Sequence, residues 1–163
     1  MTPAQYDTEI YNQAIKMGVP PVTARLIVAQ ARHETGNYTN NAMKYFNAFG
    51  YKWVGQKKWA IGPANTSSEG DKYAAYKNVA DSTGELVDWL KRRQNEGKLV
   101  INNLTDSTKY ANALKSANYY GAPVSEYTKG LTAALKKIAI VAGTGTAMVL
   151  LVVLGLFFLT GKD

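Results

Sequence analysis

Apolar residues recur with the period of an α-helix in five stretches of the chain and lose that period in one. In the first stretch Tyr6, Ile10 and Ala14 follow at i+4 behind Thr2-Pro3, an N-cap with proline at the first helical position, and Gly18 closes the run. Pro20-Pro21 opens the second. There Val22, Leu26, Ala29 and His33 form one line, which the pattern turns inward with His33 as a packed core residue. Thr23, Ile27, Gln30 and Glu34 form the adjacent line, so Glu34 flanks the core at the point where Thr35-Gly36 stops the helix. From residue 35 to 79 aromatics, glycines and polar residues alternate instead, which predicts a short helix over 41–45 and then a small β-hairpin or irregular lobe. Ser82-Thr83-Gly84-Glu85 has capping-box spacing before Leu86, Trp89 and Leu90, and Gly97 ends that helix. Asp106 is placed to cap a helix carrying Tyr110, Leu114 and Ala117. The fifth stretch opens at Pro123-Val124, and its line Val124, Tyr127, Leu131, Leu135, Ile138 runs on into an apolar tail.

That tail divides the chain. Residues 138–161 are 24 residues without a charge, against the roughly 20 that a membrane-spanning helix needs. A core helix of such length normally keeps a polar face. The pattern therefore predicts a domain over 1–137, a transmembrane helix over 138–161 and a short tail, 162–163. The helix is expected either to run unbroken from the domain into the membrane or to break near Gly143-Thr144-Gly145. Residues 1–7 lack the apolar core of a cleavable export signal.

Charge sharpens the class of partner. The whole net charge of +7 belongs to residues 1–137, which favours a polyanion such as an anionic bilayer or a wall polymer. The basic residues are dispersed and match no nucleic-acid motif, so no specific nucleic-acid partner is expected. With no cysteine and one histidine, thiolate chemistry is excluded and neither a metal site nor a cofactor is expected.

A carboxylate at the end of an apolar helix has the environment of a general acid, because desolvation holds its proton on toward neutral pH. The residues around Glu34 carry a resemblance. Ala29-Gln30-Ala31-Arg32-His33-Glu34-Thr35-Gly36 resembles the AQA-x-x-E-[ST]-G segment of the bacterial glucosaminidases, the wall hydrolases of autolysins, flagellar-rod muramidases and phage lysins. Asn47-Ala48-Phe49-Gly50-Tyr51-Lys52 is similar to their N-x-F-G-x-K. Tyr73 to Ser82 is similar to their F-x-x-Y-x-S-x-x-x-S. Tyr110 to Leu114, with Tyr119 and Tyr127, resembles their Y-x-x-A-L and the Y-A-T-D-P-x-Y beyond it. Four motifs stand in the family's order across about residues 20–137. One departs: Tyr119-Tyr120-Gly121-Ala122-Pro123 lacks the family's aspartate.

The resemblance implies a mainly α, lysozyme-like (α+β) domain with a small β-lobe, acting on the glycan strands of peptidoglycan. Glu34 would protonate the leaving oxygen. Glu69 is the best positional candidate for a second carboxylate, with Asp71 behind it, and a separation of about 6.5–9.5 Å would imply inversion by water. Tyr119 would orient the acetamido group or the water. Asn47, Phe49, Tyr51, Trp53 and Tyr76 would bind sugar, although Tyr76, Tyr119 and the tryptophans Trp53 and Trp59 also suit packing. The absence of a G-L-M-Q segment favours hydrolysis over the lytic transglycosylase alternative. Lys136 and Lys137 weakly favour a cytoplasmic domain. Such a tail-anchored hydrolase meets the wall if a membrane-containing phage carries it in its internal membrane, with the lipid bilayer and capsid or other virion proteins as further partners, or if it is a lysis protein flipped across the bacterial inner membrane. The rival reading is a non-enzymatic, membrane-anchored structural virion protein.

Overall fold

The computed structural model describes residues 1–66, 70 and 72–138. The sequence-predicted transmembrane helix therefore lies, but for Ile138, outside the described residues. Among them no helix is long and apolar enough to cross a membrane.

Among the described residues there are five α-helices, two short 3-10 turns and one hairpin. Helix α1 spans Pro3–Lys16, and Thr2 and Gln5 close a reciprocal capping box at its start. Helix α2 spans Pro21–Glu34 and is buried on nearly every side from Thr23 to Arg32, because α1, α4 and α5 all pack on it. Two ends of its inward line correct the sequence reading. Val22 is 51 % exposed and His33 is exposed. A straight i, i+4 line projects beyond the layer of neighbours at both ends of a short helix, so only its middle, Leu26 and Ala29, is covered.

A 3-10 turn, Asn41–Tyr45, is capped by Asn40. Strands β1 (Gly62–Thr66) and β2 (Lys72–Ala75) pair antiparallel with Gly62 opposite Ala75, and an irregularity falls between Pro63 and Thr66. Residues 51–53 add a partial third strand: Lys52 bridges Tyr73, and Trp53 N donates to Lys72 O at 2.7 Å. Helix α3 begins at Val79, earlier than the capping-box pattern predicts, and runs to Asn95. Asn78 takes the cap, accepting from Asp81 N at 2.8 Å. Ser82 and Thr83 lie one turn inside, buried, with both hydroxyls bonded back to Val79 O. A Ser/Thr hydroxyl serves equally as cap or as back-bonding interior group, and the better cap upstream decides. Trp59 of the lobe lies flat on α3, where Gly84 leaves no room for a Cβ.

Helix α4 spans Ser107–Ser116 behind an Asp106 cap, and α5 spans Val124–Leu135. The long continuous helix expected here is not formed. Lys137 N bonds Ala134 O at 2.9 Å and Ile138 N bonds Leu135 O at 3.4 Å, three-residue spacings that tighten and close the last turn.

Candidate active site

The end of α2 is built by a buried ion pair. Arg32 donates from Nε and Nη2 to the two carboxylate oxygens of Asp7 at 2.8 and 2.7 Å, and Tyr38 OH donates to Asp7 Oδ1 at 2.8 Å. Asp7 is 0 % exposed and Arg32 6 %. This cluster holds the turn after α2 in three successive left-handed residues, Gly36, Asn37 and Tyr38 (φ 58°, 61° and 67°). Only glycine adopts that region freely, and each non-glycine residue there is strained by about 1–2 kcal/mol. Bidentate binding of Arg32 to Asp7 offsets that strain and turns the chain back, so that Asn40 Nδ2 donates to Glu34 O at 3.0 Å.

Glu34, two positions past Arg32, points elsewhere. It is half-buried at the floor of a groove of about 1010 Å³ that runs between the helices and the lobe. Tyr127 OH of α5 donates to Glu34 Oε1 at 2.6 Å. Tyr127 is itself clamped: its ring stacks on Tyr120 at 3.9 Å and 10°, and His33 meets it edge-on at 5.0 Å. Gly130, one turn along, leaves His33 the space a Cβ would fill. Burial pushes the Glu34 carboxyl above its ordinary value, outweighing the pull downward from the Tyr127 hydrogen bond and from His33. Burial and the nearby Glu34 likewise raise Tyr110, Tyr119 and Tyr127. A ring of tyrosines that stay protonated thus surrounds a carboxyl disposed to keep its proton.

The remaining site residues divide. Tyr119 borders the groove, its hydroxyl donating to Phe49 O at 2.8 Å and its ring edge-on to Trp89 and Tyr51. Asn47 and Phe49 border it but are buried. The Asn47 amide donates to Tyr51 O and Ala74 O and accepts from Tyr51 N, which fixes the loop to β2. Tyr51 lines the groove with its hydroxyl buried. Tyr76 is 2 % exposed in the small core of the lobe with Ala60 and Ala74, and Trp53 packs against the same core; neither is among the residues lining the groove. Glu69 and Asp71 lie outside the described residues. Sequence reasoning missed Tyr127 as a partner of Glu34, along with the groove residues Lys44, Tyr73 and Trp89. The one available signal was the match of Tyr127 to the end of a family motif. No group of three His, Cys, Asp or Glu among the described residues is placed to hold a metal.

The family model described as "Glucosaminidase: Mannosyl-glycoprotein endo-beta-N-acetylglucosaminidase" matches residues 8–139. Among solved structures, the chain is similar to a peptidoglycan hydrolase from Sphingomonas sp. A1, with a TM-score of 0.62, 22 % identity, and 86 % of this chain and 97 % of that one covered. It is similar to a chain of a type VI secretion system effector-immunity complex from Pseudomonas protegens (TM-score 0.61, 16 % identity, 83 % and 89 % covered). The glycoside hydrolase domain from Salmonella typhimurium FlgJ is also similar (TM-score 0.58, 22 % identity, 84 % and 88 % covered). At these identities the likeness is one of fold. No curated protein matches the chain.

Proposed function

The chain belongs to the glucosaminidase family and is a glycoside hydrolase, and on that premise we propose that it cleaves the β-1,4 bonds of peptidoglycan glycan strands with Glu34 as general acid. One observation carries the reading: a half-buried carboxyl in an aromatic-walled groove that accepts a hydrogen bond from a neutral hydroxyl, that of Tyr127. The Glu34 proton passes to the glycosidic oxygen, the bond from that oxygen to the anomeric carbon breaks, and water supplies the hydroxyl that the carbon gains. The transition state carries positive charge on the sugar, which suits a groove rich in tyrosine faces and hydroxyls. Tyr119 orients the substrate's acetamido group, and Glu69 is the candidate to activate the water. Residues 138–161 tether the domain to a bilayer, so that it cuts wall close to a membrane, as a phage particle entering or a lysis enzyme requires. The tether reading rests on those 24 uncharged residues.

The test is clearing of peptidoglycan in a gel. The wild-type chain clears it and Glu34→Gln does not, with folding checked by circular dichroism. Clearing by Glu34→Gln refutes the general-acid role. Mass spectrometry of the released muropeptides then reads the bond from the new reducing end, and a 1,6-anhydro ring would replace hydrolysis by transglycosylation. Absence of the chain from purified phage particles would refute the virion role.

A further inference from the structure

Residues 117–123 join α4 to α5 without regular structure, yet they carry two tyrosines of the groove, Tyr119 and Tyr120. The chain turns at Asn118, in the left-handed region (φ 59°), and Tyr119 N then donates to Leu114 O at 2.9 Å. Those contacts close α4. The carbonyls of Gly121 and Ala122, further on, are met by one side chain. Lys115, in the last turn of α4, donates from Nζ to Gly121 O at 2.5 Å and to Ala122 O at 2.9 Å. The same ammonium lies 5.4 Å from the centroid of the Tyr120 ring, within the range of a cation–π contact. Tyr120 is held at its far end too, where its hydroxyl donates to Ala111 O at 2.9 Å. The helix dipole favours a lysine at any helix C-terminus, but that preference asks for no contact with the next helix. Lys115 reaches the residues that lead straight into α5.

Tyr120 matters for what lies on it. The Tyr127 ring stacks on it at 3.9 Å and 10°, and the Tyr127 hydroxyl donates to Glu34 Oε1 at 2.6 Å. The contacts run in series from Lys115 through Tyr120 and Tyr127 to Glu34. A stacked ring fixes its partner only if it is itself fixed, and the bonds of Lys115 are of the strong, charge-assisted kind. Lys115 is not among the residues lining the groove, so it acts on the chemistry through its neighbours. Resting on the reading of Glu34 as the proton donor, we propose that Lys115 is a positioning residue of the active site: it grips the 117–123 connection so that Tyr120 holds the Tyr127 hydroxyl on Glu34.

Carbon-13 carboxyl NMR of Glu34, in the full-length chain in detergent, reads the pair without turnover. The Tyr127 hydrogen bond pulls the Glu34 carboxyl down, so a loosened Tyr127 lets it rise. Lys115→Met is expected to move the Glu34 midpoint up, by less than Tyr127→Phe does. It should lower kcat by about tenfold or less, below the roughly hundredfold loss of an outright misplacement. Lys115→Arg keeps a cation with several donors and should keep the wild-type midpoint and rate. In a Tyr127→Phe background Lys115→Met should move the midpoint no further, because the contact it acts through is gone. His33, Tyr110 of α4 and Tyr119 also face Glu34, and they are the same in every variant. Should Lys115→Met fail to fold by circular dichroism, Tyr120→Leu removes the stacked face with the lysine in place, and the same rise is expected. A midpoint that does not rise overturns the proposal. So does an equal rise in the Tyr127→Phe background, which would mark the field of a lost charge, or a failure of Lys115→Arg to hold the wild-type value. If Glu34→Gln still clears peptidoglycan, the general-acid reading fails, while the midpoint still reports whether Lys115 governs the Tyr127–Glu34 contact.

Discussion

Arg32 and Glu34 lie two positions apart at the end of one helix, carry opposite charges, and are treated in opposite ways. Residues at i and i+2 face different directions. Arg32 turns inward to a carboxylate that answers it at two oxygens, with a tyrosine hydroxyl completing the set. Glu34 turns to the groove and meets tyrosines. Desolvation penalises both charges. For Arg32 the opposite charge offsets it and the guanidinium stays ionised. For Glu34 no opposite charge offsets it fully, and burial raises the carboxyl above its ordinary value. A charge that shapes the fold is matched by an opposite charge; the carboxyl proposed as proton donor meets a neutral hydroxyl. The matched one also positions the other, since the Asp7–Arg32–Tyr38 cluster holds the strained turn whose Asn40 bonds the Glu34 carbonyl.

The largest effect that sharpens this contrast is on the matched side. Asp7→Ala leaves Arg32 buried without its anion and should cost about 3–5 kcal/mol of stability in urea unfolding. A cost of about 1 kcal/mol or less, the range of exposed pairs, would remove the distinction between the two charges. On the unmatched side, Tyr127→Phe frees the carboxyl from its donor. Hydrolysis should fall about tenfold to a hundredfold, the scale of a misplaced catalytic group. Because the lost bond held the Glu34 pKa down, the alkaline limb of the pH–activity profile should move up. A drop in rate with no movement of that limb would make Tyr127 a packing residue only.

Glu34→Gln gives a smaller effect on stability, and its sign discriminates. A carboxyl whose folded pKa is raised stabilises the fold while protonated, and that contribution fades as pH rises from the unfolded value through the folded one. Above that window the wild type bears the burial of an ionised group and the glutamine variant does not. The variant's melting temperature should exceed the wild type's at alkaline pH, with the gap closing below pH 4.5, the ordinary carboxyl value. A variant less stable than wild type at alkaline pH would mean that the Glu34 carboxylate is satisfied after all.

Much of this arrangement was legible along the chain, for local reasons. Caps and stops at Thr2-Pro3, Asp106, Gly18 and Gly97 are decided within one turn of helix, and each stands where the pattern puts it. Glu34 was legible because helix period and motif agree on it. The failures are of another kind. Asp7 is a charged residue whose burial only Arg32, 25 positions on, makes favourable. Tyr127 reaches Glu34 across 93 positions, a contact that only the packing of α5 on α2 creates. Spacing put the α3 cap at Ser82, whereas Asn78, one turn earlier, takes it. Tyr76 matched a family motif, yet its place in the core of the lobe depends on how residues 51–53 pair with β2.

The most direct test of the central claim is the protonation of Glu34 itself. Carbon-13 carboxyl NMR, with Glu34 identified by its absence in Glu34→Gln, follows its titration in the intact chain. The account predicts a midpoint above 4.5, the ordinary value, coinciding with the alkaline limb of the hydrolysis profile. A midpoint at or below 4.5 would mean that the carboxyl is ionised under working conditions, and Glu34 would not be the proton donor.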